Sequence, residues 1–391
     1  MNFAPFEIDE ATRAFWREVR DFCDTEVTPE LREQIWIEDS YHDQALYKKM
    51  GERGWIMGRW PRERGGAGLT ALQDKILHQE LDQAEAPVFC WGLTTLILPA
   101  VLQFGSPEIQ AEVVSRVAAG DARFFLGYTE PDSGSDMAAA KIRAVRDGDE
   151  WVINGQKMFN TGGQFATHHF LLARSDPKQK HRGLTMFLVP LDTPGIELRP
   201  IKTISGERTN FVFYSDVRLP DRYRLGAEGD GWNVVNGPLS AEHGVAADLS
   251  GLGEISGIGA GFTKRLFDLV HRVAEYERSI GKADDPLVRL RLAEAWLYAE
   301  ASRNSPAMLG RVIASESFQK YSADLIDLVG PAAVVPRGGP GVVAEGWVER
   351  EHRFAQGTAI YGGTTDIFRN MIAQHVLGLP RPPKPAVAST N

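Results

Sequence analysis

Apolar residues alternate with polar ones at two different periods along this chain, and the changes of period mark its parts. Phe15, Val19 and Phe22 recur at helical spacing with charges between them, which predicts an amphipathic helix. Trp60-Pro61-Arg62-Glu63-Arg64-Gly65-Gly66-Ala67-Gly68 is a turn-rich break. Helical patterns resume from about Ala71 to Ala84 and from about Val88 to Val117. Near Arg123 the period shortens. Ile142–Val145, Trp151-Val152-Ile153, Phe170–Ala173, Thr185–Val189 and Val212–Tyr214 are short strand-like runs, and Asp147-Gly148 is a hairpin-type turn. Strands this short and this closely spaced predict a small β-barrel or sandwich rather than a βαβ sheet. After about Gly231 helical patterns return and persist to about Leu377. Leu290, Ala293, Leu297 and Ala301 form one stripe, expected to face a core. Ile367, Met371 and Val376 form part of another. Gly338-Gly339-Pro340-Gly341 reads as a loop, and the Pro-rich tail from Pro380 as disordered. The fold class is therefore mainly α with a central β domain: an N-terminal helical domain over 1–122, a middle β-barrel domain over 123–230, a C-terminal helical bundle over 231–379, and a disordered tail over 380–391.

Composition narrows the function classes. The 391 residues suit two or three domains, with 43% hydrophobic and 24% charged residues. A net charge of −9 argues against a general nucleic-acid partner, though a few local cations or a helix N-terminus still suffice for a phosphate-bearing ligand. The two cysteines, Cys23 and Cys90, form no CxxC or Cys/His spacing, so neither a disulfide framework nor a metal site is expected. Together with the absence of a secretory signal, a transit peptide or an 18-residue apolar run, they point to a cytoplasmic protein with no membrane span.

The densest polar segment is Gly127-Tyr128-Thr129-Glu130-Pro131-Asp132-Ser133-Gly134-Ser135-Asp136. It is a polar loop at a strand end, with hydroxyls at Thr129, Ser133 and Ser135 and a glycine that permits close backbone approach. By composition alone it is also an ordinary Asp/Ser/Gly turn. Its Thr-Glu-Pro-x-x-Gly-Ser-Asp pattern, however, resembles the signature of the acyl-CoA dehydrogenase family. Asn154-Gly155-Gln156-Lys157-Met158-Phe159-Asn160-Thr161, His181-Arg182-Gly183-Leu184, Val189-Pro190, Tyr214–Pro220, Gly231-Trp232 and Tyr361–Asn370 follow in the family's order. The resemblance runs from about Trp60 to Leu379 and implies the acyl-CoA dehydrogenase-like fold, an acyl-CoA substrate and FAD.

Position by position, the resemblance implies that Thr129, beside Tyr128, bonds the pyrimidine end of the flavin. Phe159, where the family usually has Trp, lies against the ring, and Thr161 approaches N5, the hydride acceptor. Ser135 belongs near the CoA pantetheine or pyrophosphate. Thr364, with Asp366 in the same turn, belongs with the FAD phosphates. Arg278 is similar to an arginine that reaches a neighbouring subunit's FAD, although the spacing to Gly281 is one residue short. Gly330 is similar to a turn over the neighbour's adenylate, although Asp327 stands where Gln is common.

The reaction needs a base to take the α-proton, and a carboxylate shielded from water suits it. Many family members place a glutamate just before Gly-Thr in the C-terminal motif; this chain has Gly362 there. A second branch carries the base on a C-terminal-domain helix in a Glu-Arg pair, and Glu242 falls at that glutamate in Gly237–Ala247. The alternative reading of Glu242 is a solvated residue on an amphipathic helix. His243 stands where the arginine would be; it reads as an ordinary partly buried histidine, or else as the residue on which the arginine's CoA-binding role would rest. The resemblance also implies that the Gly362 backbone N–H polarises the thioester carbonyl, with Tyr361 beside the substrate. Losing a side chain at position 362 would vacate volume and favour a bulky acyl group. Tyr361-Gly362-Gly363-Thr364, the helix glutamate and Asp285–Arg289 resemble bacterial dehydrogenases acting on steroid side-chain thioesters.

The resemblance further implies an electron-transfer flavoprotein as electron acceptor, and a homotetramer or a two-plus-two heterotetramer. The sequence also admits a different class: a non-catalytic or FAD-sharing partner subunit of such a heterotetramer. An oxidase or monooxygenase on the same fold is a third.

Overall fold

Phe15, Val19 and Phe22 are all buried on helix α1 (Glu10–Glu26), whose first turn is capped by Asp9 accepting from the Thr12 N–H at 2.7 Å. Such a cap contributes about 1 kcal/mol. The two phenylalanines meet the edge of Trp55 with ring centroids 6.0 and 5.0 Å away. The structure, a computed structural model, describes residues 8–37, 40–242 and 258–380. The expectations for the extreme N-terminus, for His243 and for the tail after Pro380 concern residues outside these ranges.

The chain divides into two compact units, Met1–Leu239 and Ser240–Asn391. In the first unit, α2 (Pro29–Glu33) and α3 (Gln44–Glu52) precede α4 (Ala71–Gln83), α5 (Cys90–Phe104) and α6 (Pro107–Ala118). A Thr70/Gln73 capping box starts α4. The single apolar run expected from Val88 to Val117 is two helices. It breaks at Gly105, where a Cβ would lie 2.5 Å from the Val101 carbonyl oxygen, and Ser106 and Pro107 start α6.

The predicted β domain is one eight-stranded sheet. Its strands are β1 (Phe124–Gly127), β2 (Arg143–Asp147), β3 (Glu150–Lys157), β4 (His168–Arg174), β5 (Leu184–Pro190), β6 (Ile196–Lys202), β7 (Arg208–Pro220) and β8 (Arg224–Leu225). They run in the order β6-β7-β3-β2-β4-β5-β8, with β1 parallel to β4. Asp147 pairs with Glu150 across the predicted hairpin, where Gly148 takes φ +66°. The β3–β7 register shifts between Ile153 and Gly155. There Asn154 and Asp216 exchange two hydrogen bonds of 2.9 Å, so the Asn-Gly of the motif builds a β-bulge. The His168–His169 pair is core packing: His169 stacks on Phe125 with centroids 4.1 Å apart.

Helix α7 (Gly231–Glu242) ends in the second unit, which also holds α8 (Ile258–Ser279), α9 (Pro286–Arg303), α10 (Ala307–Val329), α11 (Trp347–Ala355) and α12 (Thr365–Met371). Leu266, Leu269 and Val273 of α8, Ala295 and Ala299 of α9, and Phe318 and Leu325 of α10 form its core. One expectation is reversed. The α9 stripe Leu290, Ala293, Leu297 and Ala301 faces outward, and the helix buries Val288, Ala295, Ala299 and Ser302 instead. Small residues let α9 lie close to its neighbours, while leucines occupy the open side. In the C-terminal stripe Ile367 and Met371 are half-buried and Val376 is exposed; α12 buries Thr365 and Phe368 instead.

Candidate active site

The Thr-Glu-Pro loop leaves the end of β1 and is fastened from beneath. Glu130 is 5% exposed and Lys157 fully buried, and their charged ends meet at 2.8 Å. The Lys157 ammonium also donates to the Tyr128 carbonyl at 3.0 Å. The Glu130 carboxylate further accepts the backbone N–H groups of Lys141 (2.6 Å) and Ile142 (3.1 Å). Burial pulls the Lys157 ammonium down to about 8 even with Glu130 beside it. The Met158 N–H donates to the Thr129 carbonyl at 3.0 Å. The signature glutamate is thus a buried clamp joining the loop to the end of β3, a role the sequence reading did not assign. Its charge alone is no signal in the sequence, because Asp132 and Asp136 of the same loop are charged too and pair at the surface.

Above this clamp, Phe159 adopts φ +60° and its side chain is 56% exposed. A non-glycine residue in this region costs about 1–3 kcal/mol and persists only where its surroundings impose it. The surroundings here are hydrogen bonds on Asn160, which donates to the Leu126 carbonyl (2.7 Å) and the Asn210 carbonyl (3.0 Å) while its own carbonyl accepts from Asn210 (2.9 Å). Thr161 is half-buried and its hydroxyl bonds that of Thr209 at 3.2 Å. At Gly162 a Cβ would touch the Phe89 ring at 2.7 Å, so only glycine lets the chain pass. Thr129 is half-buried, and Ser135 lies exposed on the outer part of the loop. An outward aromatic ring on a rigid, strained backbone and a nearby loop of hydroxyls fit a flat heteroaromatic group with polar edges, as a flavin is.

The second unit holds the carboxylate. Glu242 is the last described residue of α7 and is half-buried. Burial raises its carboxyl from 4.5 to about 7, against the opposing charge of Arg311. Its Oε1 lies 3.5 Å from where a Cβ on Gly362 would stand. A carboxylate arriving from α7 therefore reaches the place where a side chain from position 362 would begin. Gly362 and Gly363 take φ +63° and +83°, and among the described residues the Gly362 N–H donates to no acceptor. The space beside Gly362 is not empty: an added Cβ would meet Ile258 Cδ1 at 2.8 Å. The expected vacant volume is filled by α8, so the missing side chain does not itself enlarge a pocket.

Arg311, on α10, was not singled out by the sequence. It is 1% exposed. Its Nη2 donates to the carbonyls of Thr358 (2.9 Å), Tyr361 (2.8 Å) and Gly363 (3.2 Å), and its Nη1 donates to Ser315. Phe262 and Phe368 flank it at 4.9 and 5.4 Å. Burial lowers its guanidinium to about 10, with Tyr361 and Glu242 acting the other way, so it stays charged at neutral pH. An arginine amid the apolar run from Leu309 to Ala314 was the available signal.

Tyr361 is 39% exposed and rests edge-on against Phe262, with centroids 5.7 Å apart. Thr364 is the N-cap of α12 and accepts from the Ile367 N–H at 3.1 Å, which leaves its own proton to donate. Asp366 is exposed in the first turn of α12. Arg278 is exposed in the last turn of α8, and Gly330 ends α10 with φ +79° and open space where a Cβ would be. The structure thus brings Glu242, Gly362, Tyr361 and Arg311 to one turn. It puts Tyr128, Thr129, Phe159 and Thr161 of the first unit on the loop and strand end joined by the Glu130–Lys157 clamp.

Comparison with known proteins follows the same division. Residues 9–121 match the N-terminal domain of acyl-CoA dehydrogenases, 126–217 the middle domain and 253–377 the C-terminal domain. Acyl-CoA dehydrogenase FadE26 of Mycobacterium tuberculosis is 33% identical over 93% of this chain and 96% of its own. Acyl-CoA dehydrogenase IpdE1 of the same organism is 36% identical over 87% and 89%. Among solved structures, the ChsE4-ChsE5 complex from Mycobacterium tuberculosis superposes with a TM-score of 0.81 at 30% identity, covering 97% of this chain and 100% of the other. The Tcur3481-Tcur3483 steroid acyl-CoA dehydrogenase does so with 0.83 at 27% identity, covering 97% and 100%.

Proposed function

This chain belongs to the acyl-CoA dehydrogenase family, and we propose that it desaturates an acyl-CoA thioester between Cα and Cβ with Glu242 as the base that takes the α-proton. The observation that carries this reading is the Glu242 carboxylate: desolvated to a pKa of about 7 and directed at the Gly362 turn, 3.5 Å from the position of a missing side chain. A base poised near the working pH combines a large ionised fraction with a strong pull on the proton. The unengaged Gly362 N–H is a donor for the thioester carbonyl oxygen, where negative charge develops as the α-proton leaves. FAD, when bound, supplies the acceptor for the β-hydrogen and its electron pair. Thr129, Phe159 and Thr161 are the residues of this chain suited to hold the flavin ring, with Tyr128 and Ser135 on the same loop. Thr364 and Asp366 at the start of α12, and Arg278 and Gly330 at exposed helix ends, are the residues assigned to the rest of the cofactor. Tyr361, Ser135 and His243 are assigned to the substrate.

The acyl group is steroid-derived in this reading. The support is the likeness to a protein described as a steroid acyl-CoA dehydrogenase together with the glutamate's position on a helix; the filled space at Ile258 withdraws the argument from vacated volume. Electrons pass to an electron-transfer flavoprotein. A second reading has its own observation: two of the solved relatives, ChsE4-ChsE5 and Tcur3481-Tcur3483, are named as pairs of chains, and α9 exposes an apolar stripe. Under it, this chain shares FAD with a homologous partner in a two-plus-two assembly.

The test is to purify the chain alone, measure its flavin by visible absorption, and assay a thioester panel with an artificial electron acceptor. Near-stoichiometric flavin with turnover of steroid side-chain thioesters supports a self-sufficient enzyme. A folded, colourless chain that gains flavin and turnover only with a homologous partner supports the shared site. Equal or faster turnover of straight-chain thioesters overturns the steroid assignment.

A further inference from the structure

The buried cation in the second unit has a function beyond packing. The guanidinium of Arg311 donates to the carbonyls of Tyr361 and Gly363, the residues on either side of Gly362. The carboxylate of Glu242 approaches Gly362 itself. The two charges therefore converge on a single three-residue turn, one from α10 and one from α7. No carboxylate lies within 4.0 Å of Arg311 among the described residues. A buried guanidinium without a contact ion pair costs several kcal/mol to desolvate, and it is retained here with its Nε–H also lacking an acceptor among the described residues. Merely bracing a turn does not require a fixed charge, because neutral amides also donate to carbonyls.

We propose that Arg311 is a positioning residue of the proton-abstraction site: its guanidinium holds the Tyr361–Gly363 turn so that the Gly362 N–H stays open, and its charge stabilises the ionised Glu242 carboxylate. This rests on the reading of Glu242 as the base. Among the described residues the charged group acting on Glu242 is Arg311, and those acting on Arg311 are Tyr361 and Glu242. The other side chains packed here, Ile258 and Phe262 of α8 and Phe368 of α12, carry no charge. Removal of the positive charge makes the anion less favourable, so Glu242 would ionise at a higher pH.

Two variants of the flavin-loaded protein separate charge from bracing. In Arg311→Gln the acidic limb of kcat/KM moves up by about one pH unit. In Arg311→Lys the charge remains but the fork that spans three carbonyls is lost. Its limb stays within a few tenths of a unit while kcat falls about tenfold with KM nearly unchanged. A folded Arg311→Gln whose limb coincides with wild type overturns the proposal. If that variant does not fold, Arg311→Lys decides alone: a limb displaced upward, or full kcat, overturns it. Glu242→Gln is the control on the underlying reading. If it keeps full turnover, the base assignment has failed; if it is inactive while the Arg311→Gln limb is unmoved, the role of Arg311 alone has failed.

Discussion

Glu242 and Phe159 are each held in a state that ordinary residues avoid, and each state has a measurable consequence. The Glu242 carboxyl is pushed up to about 7 by burial. The base must be ionised, so activity is lost as pH falls through that value. We expect kcat/KM to drop about tenfold per unit below pH 7, and a limb near the ordinary carboxylate value of 4.5 would mean that water reaches the carboxylate freely. Phe159 pays for a left-handed backbone with its ring turned outward. Phe159→Gly should leave the melting temperature of the flavin-free protein unchanged or raised, because the backbone penalty is relieved. The same change should weaken flavin retention about tenfold, because the aromatic face is gone. Unaltered retention, followed by absorbance after dilution, would remove Phe159 from the flavin site. At this scale the sequence shows the residues as local patterns, the Thr-Glu-Pro loop, Phe159, Gly362 and Glu242, while their roles in the reaction rest on the family resemblance and on the proposal above. The filling of the Gly362 space by Ile258 and the bracing of the turn by Arg311 were not legible, because they join residues distant in sequence through packing that no spacing reports.

At the scale of elements, the loop after β1 and the end of β3 act as one rigid piece because Lys157 and Glu130 are buried together. Removing one member of a buried pair leaves the other uncompensated. Lys157→Met should cost about 3–5 kcal/mol in denaturant unfolding, and the double change Lys157→Met/Glu130→Gln appreciably less than the sum of the two single changes. Additive costs would show that the two side chains do not act as a pair. The helices illustrate what periodicity can and cannot say. It located α4 to within a residue and marked residues that do lie on α1 and α9 without giving those helices ends, since 3.6-residue spacing is a property of the segment alone. It assigned the wrong face of α9 to the core. The buried face is made of Ala295, Ala299 and Ser302, which the close approach of α8 and α10 requires, and leucine content alone pointed the other way.

At the scale of the whole molecule, Leu287, Leu290 and Leu297 of α9 are 55%, 56% and 63% exposed. An ordered leucine face on a helix is the kind of surface that subunits cover. Leu290→Glu/Leu297→Glu should leave the secondary structure intact and reduce the mass measured by light scattering toward the 43.2 kDa of one chain. A wild-type chain that is already monomeric with full flavin would show that the stripe has no subunit to cover it. Among the described residues no helix is long and apolar enough to cross a membrane.

The central claim is that this chain performs α,β-desaturation through Glu242. Its most direct test is turnover by flavin-loaded Glu242→Gln with a steroid side-chain CoA thioester and an artificial electron acceptor, beside wild type. The substitution keeps size and hydrogen bonding but removes the proton acceptor. Flavin content and thioester affinity close to wild type, with kcat lowered at least about a hundredfold, is the predicted result. A variant that binds flavin and thioester and still turns over at the wild-type rate would contradict the account.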